Sequence, residues 1–312
     1  MSSGPGYTLC VLGCGTMGIA ILSGVIASME SSVHRTLNNK WESHTPGTQT
    51  PTDAPTNSLP GRFIACVNRR ETAAKLKGTL SGLGHPVEVV AGENLKAVQE
   101  ADVVILCCKP QLAQLILNEA GLAEALGGKL LISILAGVTI SQLTGWVSPS
   151  TKVVRAMPNT PCKIREGMTV VTPLSSSSDS DADRNIILKI FSSIGRCRFV
   201  DEKHFDACTA LSGSGPAFAC IFLEAMADGG VMMGLPRAEA LELAAQTLQG
   251  AARMALQEGA HPAQIKDTVT TPGGCTIAGL LALEDGRVRS TIARAIQIAT
   301  ERASELGQPS KK

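Results

Sequence analysis

Two hydrophobic patterns divide the chain. Up to about residue 200, short continuous apolar runs alternate with helical stretches, and beyond it only helical stretches remain. Residues 8–12 form the first apolar run and lead into a Gly-rich turn and an apolar helix over 19–29. Further runs predict strands at 63–67, 86–91, 101–108, 129–136, 152–157, 168–172 and 197–200. Between them the spacing predicts helices at 94–100, 110–126, 140–146 and 182–194. A strand covered on both faces has no polar alternation, and buried strands separated by helices build a doubly wound sheet. The expected class is therefore α/β: a Rossmann-type, mostly parallel sheet followed by an all-helical domain.

The helical part is read as 202–211, 215–233, 236–258, 262–269 and 287–306, with Pro236 in a helix first turn. Residues 238–254 are Ala-rich and apolar around much of the helix, so they are expected to be buried against something. The domains are expected at 1–201 and 202–312. Residues 30–61 are rich in Thr, Pro, Ser and Asn and lack any period, which predicts a flexible polar insertion.

Composition narrows the function mainly by exclusion. With 28 Lys+Arg against 27 Asp+Glu, the formal charge is +1 over 312 residues. No basic block is present, which argues against nucleic acid or an anionic membrane as partner. Aromatics at 3% also disfavour a base-stacking surface. No apolar run is expected to cross a bilayer. The ten cysteines include no C-x-x-C pair and mostly lie in apolar runs. They are read as small core hydrophobes of a reduced, cytoplasmic protein rather than as zinc ligands, and no metal site is expected. The N-terminus shows no charged region followed by an apolar one, so no secretory signal is expected.

The first chemical motif is Gly13-Cys14-Gly15-Thr16-Met17-Gly18. It follows a strand and opens a helix, as a dinucleotide fingerprint requires, and places the pyrophosphate at a helix N-terminus. The second strand ends in Asn68-Arg69-Arg70 rather than an acidic residue. A carboxylate there would bind a ribose 2′-hydroxyl, whereas guanidinium groups suit a 2′-phosphate. The expected cofactor is NADPH, with NADH as the alternative. Cys108-Lys109-Pro110 and Ala136-Gly137 follow two further strands and are candidate cofactor contacts. For Lys109-Pro110 a polar cap with a helix-starting proline is an equally good reading. Asn159, between Pro158 and Pro161, sits on a rigid loop and is another candidate.

The second domain carries Leu211-Ser212-Gly213-Ser214-Gly215-Pro216, read as a close-packing turn and helix N-cap. It also carries Thr270-Thr271-Pro272-Gly273-Gly274-Cys275-Thr276 between helices. Hydroxyls, glycine N–H groups and the next helix N-terminus make this loop a plausible carboxylate cradle.

With these pieces the sequence closely resembles the pyrroline-5-carboxylate reductase family. Matching residues run from Gly13–Gly18 through Met157–Pro161 and Leu211–Pro216 to 267–283, and the T-T-P-G-G-x-T stretch is specific to that family. The resemblance implies reduction of the C=N bond of (S)-1-pyrroline-5-carboxylate to L-proline with NAD(P)H. It also implies a homodimer with interleaved C-terminal helices, in some members built further into decamers. By carry-over, Thr271, Gly274 and Cys275 would hold the substrate carboxylate, with Thr276 (the catalytic candidate) and the Val269 carbonyl near the ring nitrogen. Two rival readings are a β-hydroxyacid dehydrogenase and a non-catalytic NADP sensor. The first would need a K-x-x-N pair, and residues 202–260 hold only Lys203 and no Asn. The second has no need of the substrate loop.

Overall fold

The computed structural model describes residues 6–31, 59–174, 181–257 and 259–306. Residues 32–58, most of the expected insertion, lie outside them. The first half runs β1 (Tyr7–Leu12), α1 (Thr16–Ser31), β2 (Pro60–Val67), α2 (Arg70–Leu80), β3 (Val87–Ala91), α3 (Asn94–Glu100) and β4 (Val103–Leu106). It continues with α4 (Ala113–Leu117), α5 (Leu122–Ala125), β5 (Leu130–Ser133), α6 (Ile140–Thr144), β6 (Lys152–Met157), β7 (Gly167–Val171), α7 (Asp181–Ser192) and β8 (Gly195–Phe199).

All eight strands join one sheet in the order β3-β2-β1-β4-β5-β6-β7-β8. Every pairing is parallel except β6 with β7, so the sheet is α/β and mostly parallel as expected. Alternate residues of one strand feed opposite cores, which is why its sequence reads as one apolar run. Leu9 and Val11 of β1 pack with Ile21 of α1, Leu76 of α2 and Phe191 of α7. Cys10 and Leu12 pack on the other face with Val98 of α3, Leu117 of α4 and Leu143 of α6. The chain reverses its winding between β1 and β4, and their carboxyl ends open a crevice there.

Several boundaries differ from expectation. The strands expected at 101–108 and 129–136 keep only four ladder residues each. Their extensions still follow the sheet, since Cys107 donates to the Leu12 carbonyl at 2.8 Å. The helix expected at 110–126 is a 3₁₀ turn (Pro110–Leu112) and two short helices. Gly121, at φ +81°, takes a left-handed conformation that no continuous right-handed helix accommodates. Helix α2 is not among the helices expected from the spacing.

Beyond β8 come a 3₁₀ turn (Glu202–His204), α8 (Phe205–Cys208), a π-turn (Thr209–Gly213), α9 (Gly215–Met232), α10 (Arg237–Ala255), α11 (Pro262–Thr268), α12 (Cys275–Asp285) and α13 (Val288–Leu306). The helix expected at 202–211 is thus three different windings. Ser214 precedes α9 without a side-chain capping bond, so the expected N-cap is not made. Ser212 instead donates back to the Cys208 carbonyl at 2.8 Å.

One exclusion needs correction. The helical stretch Glu202–Met232 contains an 18-residue window long and apolar enough to cross a bilayer by length and composition. Its Ala, Gly, Ser and Thr residues interrupt a run counted by strong hydrophobes, yet scarcely lower an average. Only 11% of that window is buried within the chain. The expectation that residues 238–254 are buried also fails within one chain, where only Ala240 and Ala244 of α10 are buried.

Candidate active site

The turn after β1 distributes its three glycines by task. Gly13 has φ +76°, and a Cβ there would lie 2.8 Å from both Cα and N of Cys108. The turn entering α1 therefore meets the end of β4 directly. The N–H groups of Gly13 and Cys14 both donate to the Cys66 carbonyl, at 3.0 and 2.8 Å, which ties the turn to β2. A Cβ on Gly18 would come within 2.9 Å of Val11, so this glycine lets α1 lie close on β1. Gly15 is exposed, and a Cβ there would meet only the Gly13 carbonyl at 3.9 Å. Open space over Gly15 is where a pyrophosphate can approach backbone. Thr16 and Met17 then open α1 with N–H groups that have no acceptor among the described residues, and no acidic residue stands in the first turn. These features fit a dinucleotide phosphate.

The other cofactor candidates border the same edge of the sheet. Asn68, Arg69 and Arg70 are exposed just past β2, and neither arginine makes an ion pair among the described residues. Exposed Lys109 and half-buried Cys108 and Pro110 follow β4. Pro110 starts the 3₁₀ turn, and Lys109 gives no side-chain cap. Half-buried Ala136 and buried Gly137, at φ +76°, follow β5. Burial pushes the Cys14 thiol up to about 12 and Cys108 up to about 11, so both stay protonated at neutral pH. The two thiols therefore add no negative charge to an edge whose charged side chains, Arg69, Arg70 and Lys109, are cationic.

Asn159 is more constrained than expected. Its Nδ2 donates to the Ser212 carbonyl at 3.0 Å, and its Oδ1 accepts from the Met168 N–H at 2.8 Å. The amide joins the end of β6 to β7 and to the π-turn of the second domain. The cysteines are also less uniform than expected: 10, 14, 66, 162 and 197 are buried, whereas 220 and 275 are exposed.

The candidate substrate loop is a compact turn between α11 and α12. Val269 ends α11 and is 61% exposed. Thr270 Oγ1 donates to the Lys266 carbonyl at 2.7 Å, and Gly273 supplies the positive φ (+69°) of the bend. Gly274 donates to the Thr271 carbonyl at 3.1 Å and is the residue before α12. A Cβ on Gly274 would meet Thr271 Oγ1 at 2.5 Å, so only glycine keeps that hydroxyl beside the helix start. Cys275 is exposed and Thr276 half-buried in a first turn without acidic residues. The expected Gly274 N–H donor is thus spent on Thr271 within the turn, which leaves the Cys275 N–H, the Thr271 hydroxyl and the positive helix end to receive a carboxylate. No hydrogen bond or ion pair among the described residues joins 269–276 to residues 6–174. The structure thus groups the cofactor candidates with one another and the substrate candidates with one another.

Sequence reading also missed a buried polar contact between the halves. Arg155 of β6 bonds Glu202 and lies against the ring of Phe205. Its signal is a charge in the interior of β6, between Val154 and Ala156, where Lys152 only opens the strand.

Fold and turn together define a Rossmann-type dinucleotide-binding protein joined to a helical domain. Residues 202–306 match the family described as pyrroline-5-carboxylate reductase dimerisation, and 55–137 match NADP oxidoreductase coenzyme F420-dependent. A pyrroline-5-carboxylate reductase of Lophium arboricola is 49% identical over 98% of this chain and 95% of its own. That of Schizosaccharomyces pombe is 46% identical over 96% and 99%. The crystal structure of the Plasmodium falciparum pyrroline carboxylate reductase with NADP bound superposes with a TM-score of 0.73, at 26% identity and 97% and 98% coverage. The chain belongs to the pyrroline-5-carboxylate reductase family.

Proposed function

We propose that this protein reduces (S)-1-pyrroline-5-carboxylate to L-proline with NADPH. The near-full-length identity of 49% to a named reductase carries this reading. The glycine turn and the α12 cradle supply chemistry that agrees with it. In this reading residues 1–201 bind cofactor, and 202–312 bind substrate and a second copy of the chain in a homodimer.

NADPH, when bound, supplies the hydride that the imine carbon takes up. The residues expected to hold it are Gly13–Gly18 on the phosphates and Asn68, Arg69 and Arg70 around the ribose phosphate. Cys108–Pro110 and Ala136–Gly137 form the wall further along the edge, and Asn159 shapes it through its two backbone partners. The Cys275 N–H and Thr271 receive the carboxylate, and the Gly274 N–H joins them only when its bond to the Thr271 carbonyl opens. Thr276 and the Val269 carbonyl hold the protonated ring nitrogen, whose positive charge makes the adjacent carbon electrophilic. The proton already on that nitrogen stays in the amine, so no strong side-chain acid is needed. Positioning supplies most of the rate.

The direct test compares initial rates of NADPH and NADH oxidation with pyrroline-5-carboxylate. Turnover with a higher kcat/KM for NADPH is expected. A higher value for NADH would overturn the cofactor assignment, and tight NADPH binding without turnover would support a sensor. Thr276→Ala is expected to lower kcat/KM by about 1–2 kcal/mol, the worth of one hydrogen bond to a charged group. Wild-type kinetics in that variant would remove Thr276 from the site.

A further inference from the structure

A clamp of three residues links the start of the helical half to the sheet. Arg155 is only 3% exposed, although β6 is otherwise a strand of core residues. Its Nη1 donates to Glu202 Oε1 at 2.9 Å. The same oxygen accepts the N–H of Ile140 at 2.8 Å, at the first residue of α6. The Phe205 ring lies 4.6 Å from the guanidinium carbon. Arg155 Nε and Nη2 have no partner among the described residues.

Stability does not account for this arginine. A buried guanidinium with two unused donors is costly, and an apolar side chain of similar volume in such a place is often as stable or more so. What the arginine provides is geometry. One carboxylate oxygen, from the first residue of the helical half, is held at two points of the sheet domain. One point is β6; the other is the start of α6, three residues after Gly137. Phe205 also belongs to a small core with Met157, against which Ala136 packs. A cavity of about 380 Å³ lies beside the turn, lined in part by Gly137, Thr139, Arg155, Glu202 and Asp206. Leu135 and Val138 anchor the turn to the core and Thr139 with Gln142 caps α6 locally, while on the cavity side the polar clamp is the tie that reaches the helical half.

We propose that Arg155 is a positioning residue that, through Glu202, sets the Ala136–Gly137 turn and with it the seat of the nicotinamide half of the cofactor. The proposal rests on the reading of that turn as a cofactor wall. The test uses the full chain as wild type, Arg155→Met, Arg155→Lys and Glu202→Gln. It measures melting, NADPH affinity by nucleotide fluorescence, and kcat and KM with pyrroline-5-carboxylate. Arg155→Met is expected to melt no lower than wild type, yet to weaken NADPH binding and lower kcat, each on the order of tenfold. KM for the imine should hold, because the α12 cradle is untouched. Arg155→Lys should recover most of the loss, since it restores a cation opposite Glu202.

Wild-type NADPH affinity and kcat in a folded Arg155→Met variant would overturn the proposal. So would an equal loss in all constants that lysine does not rescue. If Arg155→Met fails to fold, Glu202→Gln decides: it keeps an acceptor for Ile140 but removes the charge, and it should weaken NADPH binding severalfold, no change counting against the clamp. A wild-type enzyme inactive on the imine would refute the proposed reaction instead, and the NADPH titration would still read the turn.

Discussion

Gly13→Ala is expected to abolish useful NADPH binding and to lower the melting temperature. At φ +76° an L-residue with a Cβ is strained by about 1–2 kcal/mol. The new methyl would also lie 2.8 Å from Cα and N of Cys108. Those are backbone atoms just past β4 and cannot rotate away as a side chain would, so overpacking adds about 1–3 kcal/mol. The turn would relax by moving off β4. That movement strains the two hydrogen bonds to the Cys66 carbonyl and shifts the Thr16 and Met17 N–H groups that await phosphate. A loss of affinity on the order of a hundredfold corresponds to about 2.7 kcal/mol, well within the combined strain. Melting should fall by about 2–4 °C for each kcal/mol lost from the fold. Gly15→Ala is the informative partner. Its Cβ meets nothing closer than 3.9 Å, so the fold should hold while the methyl enters the space assigned to pyrophosphate. Calorimetric melting and NADPH titration of both variants check the argument. Unchanged affinity in Gly15→Ala would move the pyrophosphate elsewhere.

The two glycines also show what a sequence can disclose. The spacing 13, 15, 18 after an apolar run announced a nucleotide turn, because the backbone demands are local. All eight strands were legible, the inner ones for a similar reason: they are covered on both faces, and Leu9 and Cys10 face different cores while both remaining apolar. What escaped was set by contacts distant in sequence. Gly121 was the local mark of the break, but a single glycine is also tolerated inside a helix, so its left-handed conformation was not legible from the residue alone. Asn159 looked like a ligand because its partners, Ser212 and Met168, are visible only once β6, β7 and the π-turn converge. Arg155 was passed over because its significance depends on Glu202, 47 residues later. The substrate loop was recognisable as a motif, yet the chain alone gives it no partner across the crevice.

That missing partner motivates the last expectation: Ile221→Glu should break self-association and remove most activity. Ile221 lies in the middle of α9 and is 65% exposed in the single chain. Met232, Leu281 and Ile298, on α9, α12 and α13, are likewise exposed, at 80%, 60% and 61%. Large apolar side chains left bare on three helices of one domain mark a surface that a partner covers. The match of 202–306 to a dimerisation family points to a second copy as the cover. A glutamate brought unpaired into such an interface costs about 3–5 kcal/mol, at least a hundredfold in the association constant. Light scattering should show the wild type as a dimer or a multiple of it, and the variant shifted to monomer. Its specific activity should become dependent on protein concentration, recovering partly when concentrated. Ile221→Val, which keeps an apolar contact, should behave as wild type. A bilayer-spanning role for Glu202–Met232 predicts the opposite pattern: wild-type protein would partition into vesicles, and the glutamate would abolish partitioning rather than dimerisation. A monomeric wild type with full turnover would defeat the interface altogether, because the substrate loop would then have to reach its own chain's crevice.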